Sequence, residues 1–180
     1  MDVDKKKRVS KKGQIWIETV LYILIAFALI AAVLAFVKPK IQEIQDKTIT
    51  VQSISVMEEI NSLVTDVVVG GAGNKRTLQL KIEKGNLEID GTNEKIVFEI
   101  ESKYQYSQLN SNVRVGSINI TTEEIGSKLY KVVLTLDYLG RYDIAYGDDS
   151  QKIYTITKSP TEYRLFISNK GNNKINFEVE

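Results

Sequence analysis

The groups in this chain that could do chemistry are carboxylates, lysines, tyrosines and hydroxyls, because its 180 residues include no His and no Cys. That composition excludes disulfide scaffolding, zinc sites built on Cys or His, cysteine nucleophiles, Ser-His-Asp triads and histidine-based pH switching. Glu123-Glu124 and Asp148-Asp149-Ser150 set polar groups side by side, but neighbours on a strand face opposite sides, and neighbours in a turn are solvated or act as caps. Residues 147–150 offer the hard oxygen ligands that calcium takes, without the full ladder of ligands a calcium loop supplies. Eight of the nine tyrosines lie beyond residue 100, at positions 104, 106, 130, 138, 142, 146, 154 and 163. They suit half-buried strand packing or a contact surface. Asn119-Ile120-Thr121 is the single Asn-x-Thr sequon, which makes Asn119 the candidate glycosylation site if the chain is exported. No catalytic, metal or cofactor site emerges from these patterns, and the chain reads as a non-enzyme.

With 43% apolar and 26% charged residues the balance is that of one ordinary domain, but the distribution is uneven. Residues 15–37 form an apolar block whose only charge is Glu18, while residues 1–13 carry six Lys/Arg and two Asp. About 20 helical residues cross the roughly 30 Å of bilayer hydrocarbon, and the 19 uncharged residues from 19 to 37 are enough. Lys5, Lys6, Lys7, Arg8, Lys11 and Lys12 should then stay in the cytoplasm, with everything after Lys38 outside. A secretory signal peptide competes for the same residues, since Ala26, Ala28, Ala31, Ala32 and Ala35 offer small positions for cleavage. Glu18 suits neither reading, because a carboxylate at the entrance to hydrocarbon gives an ordinary span or leader nothing and marks a functional position. The net charge of +1 arises in the basic tail and gives no reason to expect nucleic acid.

Lys11-Lys12-Gly13-Gln14-Ile15-Trp16-Ile17-Glu18, followed by an alanine-rich apolar helix, resembles the class III signal peptide of archaeal type IV pilin-like proteins. The resemblance covers about residues 11–46. It implies that a prepilin peptidase cuts on the cytoplasmic side between Gly13 and Gln14 and that the apolar helix stays on the mature chain. The family's Gln-x-Ser-x-Glu start is matched at Gln14 and Glu18, with Trp16 in the place of Ser. The resemblance further implies a membrane-inserted precursor that becomes a subunit of an extracellular adhesion filament. Its implied partners are identical or related pilin subunits, the peptidase, and an assembly ATPase with its membrane platform, with no cofactor. In the dry core of a helical filament the Glu18 carboxylate would need a cation, and the Gln14 ammonium of a neighbouring subunit would supply it and so set the register. An archaellum subunit shares this layout. A membrane-anchored extracellular binding protein that does not polymerise is the alternative from a different class. Loss of residues 1–13 would leave 18 Lys/Arg against 21 Asp/Glu, a formal charge of −3.

Beyond the span, Ile41, Ile44, Val51, Ile54, Met57, Ile60, Val64 and Val67 recur at helical spacing, as an amphipathic continuation or a short coiled coil. Gly70-Gly71-Ala72-Gly73 should end it, and Pro39 should bend or locally melt it. From Gln14 to Val69 such a helix would run roughly 84 Å. The apolar period then becomes two. About nine strands are expected, at Leu78 to Ile82, Leu87 to Ile89, Ile96 to Ile100, Val113 to Ile120, Leu129 to Tyr138, Arg141 to Tyr146, Lys152 to Thr157, Glu162 to Ile167 and Lys174 to Val179. Gly116 sits where the apolar parity switches and is expected to mark a bulge. The fold expected is α+β: a long N-terminal helix followed by an antiparallel β-sandwich or barrel-like head. Its divisions fall at a signal peptide (1–13), a span or filament-core helix (14–38), the amphipathic continuation (39–73) and the extracellular head (74–180).

Overall fold

The computed structural model describes residues 11–180, and the side chains of residues 11, 12 and 14 lie outside that description. Most of the basic N-terminal stretch, residues 1–13, therefore falls outside the described residues. A single helix, α1 (Lys11–Val69), is followed by ten strands: β1 (Lys75–Leu80), β2 (Asn86–Asp90), β3 (Lys95–Ser102), β4 (Asn112–Val115), β5 (Ile118–Gly126), β6 (Leu129–Asp137), β7 (Asp143–Tyr146), β8 (Ile153–Thr157), β9 (Tyr163–Gly171) and β10 (Lys174–Val179). The helical hydrogen-bond pattern runs through Pro39 rather than melting there, since the ring removes one donor and the flanking turns keep theirs. The chain divides into two compact units between Gln42 and Glu43.

In the second unit, residues 43–69 of α1 share one hydrophobic core with two open sheets. The four-stranded sheet has the order β1-β9-β10-β7 and the six-stranded sheet β4-β5-β6-β3-β2-β8, so the head is two sheets with free edges and not a closed barrel. The alternation seen in the sequence selects the inward faces: Leu87 and Ile89, Ile96, Phe98 and Ile100, Leu165 and Ile167 are all buried. Two expectations need correction. The stretch from Val113 to Ile120 is a hairpin, not one bulged strand. Val115 pairs with Ile118 across Gly116-Ser117, and Gly116 takes φ +57°, the left-handed conformation such a turn requires. The pairing is also not wholly antiparallel, because β7 crosses over from the other sheet and lies parallel to β10.

The helix also departs from expectation. Met57, Ile60, Val64 and Val67 are fully buried, as their spacing requires, but Ile41, Ile44 and Val51 are 48%, 65% and 50% exposed. The inward series continues instead through Ser53, Thr50 and Asp46, all buried, at the same separations of three and four. The reason is what this stretch faces: loop backbone and a lysine rather than apolar strand faces. Asp46 takes a 2.6 Å ion pair from Lys84 and a 2.7 Å hydrogen bond from the Lys103 backbone N–H. Thr50 and Ser53 donate back to the carbonyls of Asp46 and Ile49 at 2.9 Å. Further along, the buried Tyr138 hydroxyl donates to Asn61 at 3.2 Å, and Asn169 of β9 donates to the Val67 carbonyl at 3.1 Å, near the glycines that end the helix.

Asp46→Ala should lower the unfolding free energy of the head by about 1–3 kcal/mol, because it strands the Lys103 amide and the Lys84 ammonium. Ile44→Ala should change it by no more than about 0.5 kcal/mol. Denaturant titration of the detergent-solubilised chain, followed by far-UV circular dichroism, distinguishes the two.

Candidate functional site

The elements of the N-terminal motif lie on α1. Gly13 is exposed, with open space where a Cβ would be. The Gly13-Gln14 bond lies within the helical stretch of α1, where glycine weakens the helix locally. Gln14's own side chain lies outside the described residues. Glu18 is exposed one turn further on, and the neighbouring Thr19 hydroxyl donates to the Ile15 carbonyl at 3.0 Å.

The helix that carries this motif is long and apolar enough to cross a membrane. Sixteen large hydrophobic residues from Ile15 to Val37 are exposed, from 36% at Val20 to 79% at Phe36. Full burial of each such side chain is worth about 1.5–3 kcal/mol, so together they exceed the whole net stability of a typical domain. A surface of this kind suits lipid or the apolar faces of other helices.

Among the described residues no cluster of three or more acids is arranged to hold a metal ion. In the 147–150 turn, the Asp148 carboxylate is paired with Lys170 at 2.9 Å and Asp149 accepts the Gln151 N–H at 2.9 Å, so both serve the turn itself. Glu123 and Glu124 are exposed at successive positions of β5, opposite Lys131 and Tyr130. A groove of about 630 Å³ is lined by Lys84, Lys131, Lys158, Glu99, Glu101 and Ile125 among others. Its charges largely cancel: Lys131 pairs with Glu99 at 2.8 Å, a hydrogen bond that raises the lysine pKa, and Lys84 is committed to Asp46.

Seven of the eight head tyrosines are half-buried and Tyr138 is buried. Tyr146 and Tyr154 stack with centroids 3.8 Å apart and planes 7° from parallel, beneath the Lys152 ammonium at 5.3 Å. Burial, and then the hydrogen bond with Tyr154, push the Tyr146 pKa up to about 12, while burial raises that of Tyr138 further. Burial thus favours the neutral phenol at both positions. Asn119 sits in β5, held in register between Arg114 of β4 and Thr135 of β6, and is half-buried with Thr121 on the same outward face. The sequon is thus presented, though from the middle of a strand rather than from a loop.

No family model, curated protein or solved structure matches the chain. The structure brings Gly13 and Glu18 onto adjacent turns of one helix and places Asn119 in the head. It adds one feature the sequence spacing hid: the outward apolar positions Ile44 and Val51, opposite the inward Asp46. The only signal for that inversion is Asp46 itself, an acid at the spacing of the core series.

Raising the pH should test the buried tyrosines. Unfolded tyrosine ionises near pH 10, so the higher folded-state value of Tyr146 leaves stability intact below about pH 10 and removes it progressively towards about pH 12. Tyrosinate absorbance should show a late-ionising fraction, and Tyr146→Phe should flatten the alkaline fall in stability.

Proposed function

We propose that this chain is a type IV pilin-like subunit. In this reading it is inserted in the membrane with its N-terminus in the cytoplasm, cut between Gly13 and Gln14, and polymerised into an extracellular filament through its N-terminal helix. The role is structural, for adhesion or surface interaction, and the partners are identical or related copies, the processing peptidase and an assembly ATPase with its membrane platform. The observation that carries the reading is the inversion of faces in α1. Ile44 and Val51 lie beyond the apolar run, where an anchor that works as a monomer would leave them in water, yet they point outward while Asp46, Thr50 and Ser53 point in. A bundle of parallel helices from neighbouring subunits would bury that outward stripe together with residues 15–37.

In such a bundle Glu18 serves as the register device, since insertion out of step would leave a carboxylate and the Gln14 ammonium separately buried. Asn119, on the outward face of the six-stranded sheet, is the position for an N-linked glycan after export. The filament is tested by sequencing the N-terminus of material sheared from the cell surface. A start at Gln14 is expected, and a chain that still begins upstream of Gly13 overturns the proposal. Glu18→Ala should be processed normally but enter filaments roughly a hundredfold to a few thousandfold less well, as expected for about 3–5 kcal/mol lost when a buried charge loses its partner. Assembly at the native level would remove the register role.

A further inference from the structure

The six-stranded sheet ends in two edges, β4 and β8. At the β8 edge, the Gly91 N–H donates to the Lys152 carbonyl at 3.1 Å, just beyond the Asp90-Ile153 pair. Hydrogen-bonded pairs alternate along an antiparallel ladder. Tyr154 and Ile156 therefore bond to β2, while Ile153, Thr155 and Thr157 aim their N–H and C=O groups away from the sheet. The Tyr163 hydroxyl occupies the Thr157 carbonyl at 3.1 Å and closes that end. Ile153 and Thr155 are left open. At the β4 edge, the two-residue turn at Gly116-Ser117 closes on a hydrogen-bonded Val115-Ile118 pair, so Val113 bonds to Ile120 and the outward groups belong to Asn112 and Arg114. No other backbone hydrogen bond among the described residues reaches these four positions.

We propose that β8 of one copy pairs with β4 of a second copy, continuing the six-stranded sheet from head to head. Six strands that alternate in direction leave β4 and β8 antiparallel to each other, so a copy held in the same orientation presents β4 correctly to β8. The contact is heterologous and open-ended, which builds filaments rather than closed dimers. The register is set by the open groups: Ile153 opposite Arg114 of the second copy, Tyr154 opposite Val113, and Thr155 opposite Asn112. This pairing covers Ile153, 51% exposed, and Val113, 36% exposed, and places a β-branched side chain against an aromatic one. It also brings Arg114 to the side of the sheet that carries Glu88 and Asp90 on β2, the next strand in. The run Ile153–Thr157 holds no charge, and Lys152 and Lys158 flank it, so slippage would press a lysine into the ladder.

Three opposed residue pairs fall well short of the roughly 1,200 Å² that a stable interface buries. The inference therefore rests on the filament reading, in which the helices hold the copies together. The test uses the full chain in its membrane or filament, where the absence of native Cys leaves no background. Under mild oxidation Asn112→Cys/Thr155→Cys should give a ladder of covalent dimers, trimers and higher species, since opposed residues of a hydrogen-bonded pair lie about 5.5 Å apart, within disulfide reach. Each single variant should stay monomeric. Ile44→Cys, linked by a bismaleimide, reports helix proximity separately. Helix links without a ladder overturn the edge pairing and leave the filament reading standing; loss of both overturns both. Covalent dimers from either single variant would show a two-fold contact and also overturn the head-to-tail pairing.

Discussion

Uncovered apolar surface is the constraint on which the rest of this protein depends. The side chains from Ile15 to Val37 project from a helix that nothing among the described residues covers. Covering that surface with lipid or with other helices would be favourable by about 1.5–3 kcal/mol for each large side chain fully buried. The head has to fold without drawing that surface into its own core. It does so by taking only residues 43–69 of α1, whose buried face is apolar from Ile54 onward and polar before it.

That polar stretch separates the two demands on one helix. Asp46, Thr50 and Ser53 satisfy each other, the helix backbone, Lys84 and the Lys103 amide, so the helix is seated on the head without spending apolar residues there. Ile44 and Val51 are consequently left on the exposed side of the helix. A buried carboxylate also specifies position more sharply than a leucine would, because only one placement of the helix brings it to Lys84. The far end is fixed by the same means, with Asn169 at the helix terminus and Tyr138 against Asn61.

Much of this is legible in the sequence. The apolar helix, the glycine stop at Gly70-Gly71, the change of period after Gly73 and nearly all the strands come from local pattern, because each depends on residues within one or two turns of one another. The Val113 to Ile120 hairpin reads as a single strand, since a Gly-Ser turn is a weak signal beside a continuous β-branched run. The face of α1 between residues 41 and 51 misleads for a different reason. Spacing says which residues share a face, and only the partner says whether that face is apolar.

By itself, then, the sequence determined the order of elements, the chemistry that is absent for want of His and Cys, and the existence of a long apolar helix. Local sterics and hydrophobic periodicity suffice for those. The tertiary structure decided which helical face meets the head, that β7 joins β10 in parallel, and that β4 and β8 are the open edges of one sheet. These depend on contacts between residues far apart in the chain, such as Asp46 with Lys84 and Ile175 with Ile144, whose pairing no local window contains.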